Sequence, residues 1–434
     1  MKNEKRTAIA AARQEEMPGG GKRGAGSKTF EEVFSFGNVH KAGKQSCKGV
    51  RWKTSTILFE VFLCQESLTI RKELKSGKRR FKGFHSFMLV EHGKTRAIDA
   101  LPIRDRAAQK CMVQNLLTDA YTRSFIVDNS ASLKNKGMDY ALRRLKSHLR
   151  EHGQRHGLEG GIYQYDFKGY FASIPHNGIK ERARERIEDD KLFSIFCAWV
   201  DDFNLLQTAD PKDEMKRGVG LGSENSQLIS LDYANPIDHF IKDECGIRGY
   251  GRYMDDGYII SDSLKELKRI KAKVYAIAES IGLKMSDKKN TITPFKSHSF
   301  SFLKMRFALQ KGKKVTMKLG RKSIRTTRRK LAVFRRWVTE GKIDAEDVFA
   351  SYQAWRAHAR RAGSFDTLQA MDERFASMFR EELEKRRLRF PCTLKAIRTN
   401  KGWKYIRKTR GRKETRWNTS AIIDSGGLQL GQDA

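Results

Sequence analysis

The pattern of apolar and polar positions predicts several short strands joined by turns. Residues 84–103 (FHSFMLVEHGKTRAIDALPI) form two strand-like runs around a central turn, which predicts a β-hairpin. Residues 251–260 (GRYMDDGYII) place aromatic and β-branched residues, which favour strands, on both sides of a second predicted turn. A single strand is predicted at 162–166, and residues 299–309 (SFSFLKMRFAL) predict a further pair of strands.

Apolar residues at helical spacing predict the other elements. The segments predicted to be helical are 29–80, 104–125, 137–152, 176–204, 264–281 and 321–385. The helix at 264–281 would bury Leu267, Ile270, Val274 and Ile277. The last segment predicts three basic amphipathic helices, with a core of Leu331, Phe334, Trp337, Val348, Tyr352, Trp355, Leu368, Met371 and Phe375. Helices mixed with hairpins indicate an α+β fold.

The length and charge of the chain limit its function. A chain of 434 residues is expected to form two to four domains or subdomains. Its 87 Lys and Arg against 51 Asp and Glu give a net charge of +36, so the expected partner is a polyanion, with nucleic acid as the first candidate. An anionic membrane surface is the alternative, but no apolar run approaches the roughly 20 residues of a membrane-spanning helix.

The cysteines and the chain ends add less. Six scattered cysteines without a CxxC pair argue against a zinc ribbon or a disulfide framework and fit a reducing cytoplasm. The basic N-terminus lacks the apolar segment of a signal peptide, and residues 1–28 are predicted to be a flexible tail. Residues 391–417 hold ten Lys and Arg, one Glu and three large aromatics. That composition fits either an RNA-binding tail or a disordered charged tail.

Two adjacent acids at the tip of the 251–260 hairpin need an explanation, because their charges repel. Asp255 and Asp256 lie in the predicted turn, and Asp166 ends another predicted strand. A solvated turn is the simplest explanation for two such acids. Three carboxylates in a basic chain are also typical of a Mg²⁺ site, since this ion prefers oxygen ligands and completes its shell with water and substrate phosphates. Two such ions ~3.5–4 Å apart can activate an attacking hydroxyl and stabilise a leaving oxygen.

The segment YMDD at 253–256, preceded by YDFKGYFASIPH at 165–176, resembles the palm of a reverse transcriptase. The resemblance extends over roughly residues 60–380. It implies a right-hand polymerase: an α+β fold with fingers, a palm built on an RRM-like antiparallel sheet with helices, and a helical thumb. The implied domains are a flexible basic tail at 1–28, an N-terminal helical region with fingers at 29–160, a palm at 161–310, a three-helix thumb at 311–389 and a basic aromatic tail at 390–434.

The same resemblance implies a catalytic site with two Mg²⁺ ions, for which Mn²⁺ could substitute. Its implied ligands are Asp166, Asp255, Asp256 and the backbone of Phe167. Lys289, within GLKMSDKKNTI, would lie near the leaving pyrophosphate as a proton donor. Other lysines crowd this segment, so an ordinary surface charge is the alternative interpretation of Lys289.

Further residues would contact the nucleotide and the primer. Lys94 and Arg96 lie two apart on a predicted strand, so they face the same side and can grip phosphates; surface charge is the alternative. Phe171 matches the aromatic residue that excludes a ribose 2′-hydroxyl and would otherwise be an ordinary core residue. The other implied nucleotide-binding residues are Leu221, Gly222, Ser226 and Gln227. The implied primer grip consists of Phe302, Leu303 and Lys304.

One motif departs from the common pattern. Many reverse transcriptases have Gln where this chain has Leu221, and Pro where it has Gln227. The segment LGSENSQ at 221–227 resembles the enzymes of diversity-generating retroelements and related group II-like reverse transcriptases. Because Leu cannot form the hydrogen bond of an amide, we expect an error-prone enzyme.

The sequence therefore predicts a cytoplasmic RNA-directed DNA polymerase of bacterial or phage origin, encoded in a retroelement. Its expected partners are an RNA template, a DNA primer or RNA–DNA duplex, and dNTPs, with no membrane. Two alternatives remain open at this point. One is a defence-associated, antiviral reverse transcriptase that copies a dedicated noncoding RNA, with or without a small accessory protein. The other is an RNA-binding, maturase-like protein.

Overall fold

The computed structural model describes residues 26–77, 84–91, 94–203, 216–287, 289–296, 299–311, 314–385, 394–399 and 402–407. Helices and antiparallel strands alternate along the chain, which confirms the α+β class. The chain divides into two compact units. The first consists of Met1–Ala141, Tyr163–Ile260 and Lys265–Ile292, and the second consists of Leu142–Ile162, Ser261–Leu264 and Thr293–Ala434.

The N-terminal part of the first unit is helical, as predicted. Its helices are α1 (Phe30–Val33), α2 (Phe36–Ser46), α3 (Thr54–Val61) and α4 (Leu63–Ser76). The predicted hairpin follows as β1 (His85–Glu91) and β2 (Lys94–Ala100), paired antiparallel. The next helices are α5 (Ile103–Met112) and α6 (Thr118–Thr122), which are joined by a π-helical turn. Helix α7 (Met138–His156) follows and belongs largely to the second unit.

A four-stranded sheet carries the segments with the predicted chemistry. Its strands are β3 (Gly161–Tyr165), β4 (Tyr250–Tyr253), β5 (Asp256–Ser261) and β6 (Thr291–Pro294), in the order β4-β5-β3-β6. Strand β6 was not expected from the sequence. The accompanying helices are α8 (Tyr170–Ser173), α9 (His176–Arg184), α10 (Asp190–Asp201), α11 (Glu224–Tyr233), α12 (Asn235–His239) and α13 (Leu264–Ser280).

The apolar spacing of α13 correctly predicted which side of the helix is buried. Leu267, Ile270 and Val274 are fully buried, while Ile277 is half-buried and packs against the same core. Burial of an aliphatic side chain contributes about 1.5–3 kcal/mol, so this row of residues supplies much of the stability of the helix.

The second unit contains a small antiparallel sheet and a helical bundle. The strands are β7 (Phe300–Phe302), β8 (Met305–Gln310) and β9 (Lys314–Leu319), and the helices are α14 (Arg321–Thr339), α15 (Ala345–Ala359) and α16 (Phe365–Lys385). Strands β7 and β8 confirm the predicted pair. Strand β9 was not expected from the sequence; it lies within the predicted thumb at 311–389, ahead of the helices predicted from residue 321.

The core of the three-helix bundle largely matches the prediction. The buried members are Leu331, Phe334, Val348, Tyr352, Leu368, Met371 and Phe375. Tyr352 stacks on Phe375 at 4.1 Å between ring centroids, a contact worth about 0.5–1.5 kcal/mol beyond its burial. Trp355 is half-buried and donates a hydrogen bond from its indole to Ser323. The prediction for Trp337 was wrong, since this side chain is 37% exposed.

Part of the C-terminal segment has regular backbone structure. Strands β10 (Leu394–Thr399) and β11 (Gly402–Arg407) pair antiparallel, whereas the rest of the predicted tail from 408 onward lies outside the described residues, as does the N-terminal tail up to residue 25. Across the described residues, no helix combines the length and the apolar character that a membrane span requires.

Candidate active site

The β4–β5 hairpin presents two of the three acids. Tyr253 pairs with Asp256, so Met254 and Asp255 form a two-residue turn. Met254 adopts φ +55°, a conformation that costs a residue with a side chain about 1–3 kcal/mol and is often found at functional sites. Gly257 follows the turn, and a Cβ at this position would lie 2.2 Å from the ring of Tyr165. The glycine therefore allows strand β5 to approach β3 closely.

The third acid is fixed at the end of β3. Asp166 is buried, and its main-chain carbonyl accepts hydrogen bonds from the Ser286 amide at 2.8 Å and the Asn290 side chain at 3.2 Å. Both donors lie in the loop that follows α13. This loop therefore holds the strand end from one side. Ligand oxygens of Asp166, Asp255 and Asp256 all lie within 4.8 Å of one another, so the structure brings the three predicted acids together.

Burial and mutual repulsion favour the protonated forms of the two hairpin acids. Burial, and then the charge of Asp166, raise the pKa of Asp255 to about 6. Burial, and then the charge of Asp255, raise the pKa of Asp256 to about 7. A cation that approached this cluster would lower both pKa values, since opposite charge favours the ionised carboxylate.

Lys289 provides a positive charge beside the cluster. Its ammonium lies 2.9 Å from Asp166 and 3.9 Å from Asp256. Burial alone would lower the pKa of Lys289, but its hydrogen bond to Asp166 and the charge of Asp256 raise the pKa above its usual value. Lys289 is therefore protonated at neutral pH, and it lies beside the acids, where the sequence analysis expected it.

The donor set fits divalent metal ions. One carboxylate oxygen of Asp166, Oδ1, is buried without a hydrogen-bond donor, a costly arrangement that a cation would relieve. Carboxylate oxygens suit hard divalent cations such as Mg²⁺ and Mn²⁺. Phe167 is buried, with its ring stacked on Tyr170 at 4.9 Å. Its predicted role as a backbone ligand stays a prediction.

The glycine-rich segment before α11 runs along two of the predicted nucleotide-binding elements. The Val219 amide donates to the Phe171 carbonyl at 2.8 Å, and the Asp99 amide at the end of β2 donates to the Leu221 carbonyl at 2.9 Å. Gly222 adopts φ +131°, and a Cβ there would lie 2.9 Å from the Asp99 carbonyl oxygen. The segment is therefore held between α8 and β2, and it requires glycine where β2 approaches.

The other predicted nucleotide-binding residues occupy varied environments. Phe171 is half-buried against Tyr170, while Arg96 and Gln227 are exposed. Ser226 is buried in the N-terminal turn of α11, where its amide and hydroxyl both contact the hydroxyl of Ser223. The backbone of Lys94 begins β2, and its side chain lies outside the described residues. Nucleotide contact by these residues stays a prediction.

The predicted primer grip forms the turn between β7 and β8 in the second unit. Phe302 is buried and pairs with Met305, and the intervening Leu303 and Lys304 adopt φ +47° and +65°. Two consecutive residues with positive φ are typical of a tight hairpin turn. Their contact with a primer stays a prediction.

Sequence analysis missed several residues that shape this site. Asn290 links the loop after α13 to Asp166, and Asp99 links β2 to the glycine-rich segment. Arg252 is buried on β4, two residues before the turn. The sequence could have revealed Arg252, because a charged residue in an otherwise apolar strand requires a buried partner.

Comparison with known proteins gives a family for this chain. A model of the reverse transcriptase (RNA-dependent DNA polymerase) family matches residues 78–307, more than half of the chain. No curated protein matches the chain.

Solved structures similar to this chain include telomerases from two Candida species. Telomerase from Candida albicans, in complex with a TWJ fragment of telomeric RNA, has a TM-score of 0.43 and 9% identity, and the match covers 74% of this chain and 61% of that one. Apo telomerase from Candida tropicalis, truncated from its C-terminal domain, has a TM-score of 0.41 and 12% identity over 58% of this chain and 59% of that one. The chain thus spans about three fifths of the length of these structures.

Proposed function

Because the chain belongs to the reverse transcriptase family, we propose that it is a cytoplasmic RNA-directed DNA polymerase that extends a primer with dNTPs on an RNA template. The observation that carries this proposal is the convergence of three carboxylates within 4.8 Å. An RNA-binding, maturase-like role without catalysis would not require acids there, since carboxylates repel the phosphates of a bound nucleic acid.

In the proposed reaction, the 3′-hydroxyl of the primer loses its proton to solvent and attacks the α-phosphate of a dNTP, the bond between the α- and β-phosphates breaks, and pyrophosphate leaves. Asp166, Asp255 and Asp256 would hold two Mg²⁺ ions, with Mn²⁺ as a substitute, and these ions would supply the positive charge that offsets the phosphate oxygens. Lys289 is protonated and lies 2.9 Å from Asp166, so its ammonium can donate a proton to the leaving pyrophosphate.

We propose the remaining contacts from the resemblance of their motifs to those of reverse transcriptases. Arg96 and Lys94 on β2 would bind the triphosphate as cations, and Phe171 would exclude a ribose 2′-hydroxyl by its bulk. Leu221, Gly222, Ser226 and Gln227 would line the nucleotide site. The turn Phe302–Lys304 would contact the primer, and the cationic face of α14 would follow the template–primer duplex.

The decisive experiment removes charge without changing shape. Asp255→Asn with Asp256→Asn should abolish primer extension on RNA, because amides bind divalent cations far more weakly than carboxylates do. RNA affinity in a filter-binding assay should change little. Glu279→Gln, an exposed acid on α13, is the matched control and should retain full activity. Extension by the double variant at the wild-type rate would refute the assignment of this site.

The biological setting that we propose is a mutagenic retroelement. The supporting observation is Leu221, since it offers only an apolar contact where related enzymes have an amide. One hydrogen bond contributes about 0.5–1.5 kcal/mol, equivalent to about a twofold to twelvefold preference for the correct pose. We expect Leu221→Gln to lower the misincorporation frequency by a factor in this range, measured by sequencing cDNA copied from one defined RNA.

Leu221→Met serves as the control for packing, because it is apolar and similar in volume to Leu. Equal fidelity of the wild type and a Gln-containing reverse transcriptase assayed in parallel would contradict the mutagenic role. A defence-associated enzyme that copies a dedicated noncoding RNA would then be the favoured function.

A further inference from the structure

Strand β4 carries Arg252, whose side chain is completely buried next to the turn between β4 and β5. Arg252 donates from Nε to Asp238 Oδ1 at 2.8 Å and from Nη2 to Asp238 Oδ2 at 2.5 Å. The same Nη2 donates to the Leu231 carbonyl at 2.7 Å, and Nη1 donates to the Met254 carbonyl at 3.0 Å. A single guanidinium thus connects α11, α12 and the turn that presents Asp255.

The counterion of Arg252 is itself held in place by a chain of hydroxyl groups. Asp238 has no exposed surface, and its Oδ1 accepts a hydrogen bond from the Tyr250 hydroxyl at 2.5 Å. The Tyr250 and Tyr165 hydroxyls are 2.6 Å apart, and Tyr165 immediately precedes Asp166. The network therefore reaches both strands that carry the carboxylates, β3 on one side and the β4–β5 turn on the other.

The conformation of the turn explains why an arginine is needed at position 252. Met254 has φ +55°, which residues with a side chain adopt only when their surroundings enforce it. A hydrogen bond to its carbonyl restrains the peptide that leads directly into Asp255. A buried ion pair alone is weak evidence for a stabilising role, because apolar residues of similar volume often replace such pairs without loss. Apolar residues cannot, however, donate to the Met254 carbonyl.

We propose that Arg252 is a positioning residue, which fixes the Met254 peptide and thereby orients the carboxylates of Asp255 and Asp256 for metal binding. Asp238 acts with it by fixing the guanidinium plane, so that Nη1 points at the Met254 carbonyl. This proposal rests on the function proposed above, since it assumes that these acids bind divalent metal.

The first test variant is Arg252→Lys. Lysine keeps the positive charge that Asp238 requires, but one ammonium cannot replace the planar fork of donors that reaches Asp238, Leu231 and Met254 together. We expect a folded protein whose affinity for Mn²⁺, measured by electron paramagnetic resonance without nucleotide, falls at least about tenfold. The kcat for primer extension should fall about 10²-fold, as expected for a small displacement of catalytic groups, with the KM for dNTP nearly unchanged.

The second variant guards against loss of folding. Arg252→Met with Asp238→Asn removes both buried charges together and keeps an acceptor for the Tyr250 hydroxyl, so the fold should tolerate it. Because this variant has no donor for Met254, Mn²⁺ affinity should fall as in Arg252→Lys even if the melting temperature is unchanged. Circular dichroism and thermal melts establish the folded state of each variant.

The chain contains a matched control in its second unit. Arg356 is buried and pairs with Asp372 at 2.9 Å, and the Tyr352 hydroxyl donates to the same carboxylate at 2.7 Å. This triad has the same composition as Arg252, Asp238 and Tyr250. The change in melting temperature caused by Arg356→Lys should therefore be similar to the change caused by Arg252→Lys. The Mn²⁺ affinity of Arg356→Lys should equal that of the wild type.

The outcomes separate the two proposals. If Asp255→Asn with Asp256→Asn leaves Mn²⁺ binding intact, the metal site itself is refuted. If that variant loses Mn²⁺ but both Arg252 variants fold and bind Mn²⁺ like the wild type, the metal site stands and the positioning role is refuted. Failure of both Arg252 variants to fold would also overturn the positioning role, because the network would then support the whole fold rather than the turn.

Discussion

At the scale of single residues, the carboxylates of the candidate active site repel one another, and this repulsion destabilises the folded state. Asp255 and Asp256 are adjacent in sequence and lie near Asp166, with Lys289 as the nearby cation. The pKa values of Asp255 and Asp256 are raised because burial and neighbouring negative charge both disfavour the ionised carboxylates. Function, rather than stability, therefore explains the acidic composition of the turn.

The raised pKa values of these two acids predict that the metal-free protein loses stability as the pH rises. The folded-state pKa values of Asp255 and Asp256, about 6 and about 7, exceed the ordinary value of 3.8, so the folded state holds these protons more tightly than the unfolded chain does. Their favourable contribution is complete below pH 4 and is lost as the pH rises through 6 to 7. Between pH 5 and pH 8 we therefore expect the melting temperature of the metal-free protein to fall from this source.

The comparison that isolates these groups uses Asp255→Asn with Asp256→Asn in chelator-treated buffer. Both proteins share all other titrating groups, so the difference between their melting temperatures should grow in favour of the double variant from pH 5 to pH 8. Mg²⁺ should reduce that difference at pH 8 by stabilising only the wild type. A difference that is constant across this pH range would contradict the raised pKa values.

At the scale of elements, local patterns predicted most of the strands and helices but not the contacts between them. The hairpin β4–β5 and helix α13 were predicted because their apolar residues follow the period of a strand or helix. Strand β9 was missed although Val315, Met317 and Leu319 alternate with polar residues, because the segment was assigned to the thumb as a whole. Trp337 was placed in the core from its spacing alone, yet its side chain is 37% exposed.

Local sequence patterns also predicted only some of the residues of the candidate site. The three acids and Lys289 were identified from motifs, and the structure brings them together. The pair of Arg252 and Asp238 escaped notice because its members lie on different elements, and no local period links a strand residue to a residue on a helix that precedes it in the chain. Asn290 escaped for a similar reason, since its bond to the Asp166 carbonyl spans more than a hundred residues. Local sequence patterns specify elements, whereas the partners of buried polar groups depend on tertiary structure.

At the scale of the whole molecule, a net charge of +36 predicts nucleic-acid binding but does not say which cations make contact. Helix α14 offers the clearest answer. Its buried side carries Leu331 and Phe334, while Arg321, Arg325 and Arg328 are exposed and follow one another at spacings of four and three residues. Among the described residues, no acid lies within ion-pair distance of these three arginines, so their charges remain available for phosphates.

Replacing the three arginines by glutamine therefore tests whether α14 binds the template–primer duplex. Each lost phosphate contact removes about 0.9 from the slope of log affinity against log salt concentration for a duplex, so the slope should flatten by about two to three units. The control is Lys265→Gln with Lys268→Gln and Lys273→Gln, which removes three exposed charges from α13 and lowers the net charge equally. Fluorescence anisotropy with a labelled RNA–DNA duplex at 50–200 mM salt measures both, and equal slopes for the two triple variants would show that net charge, rather than this helix face, governs binding.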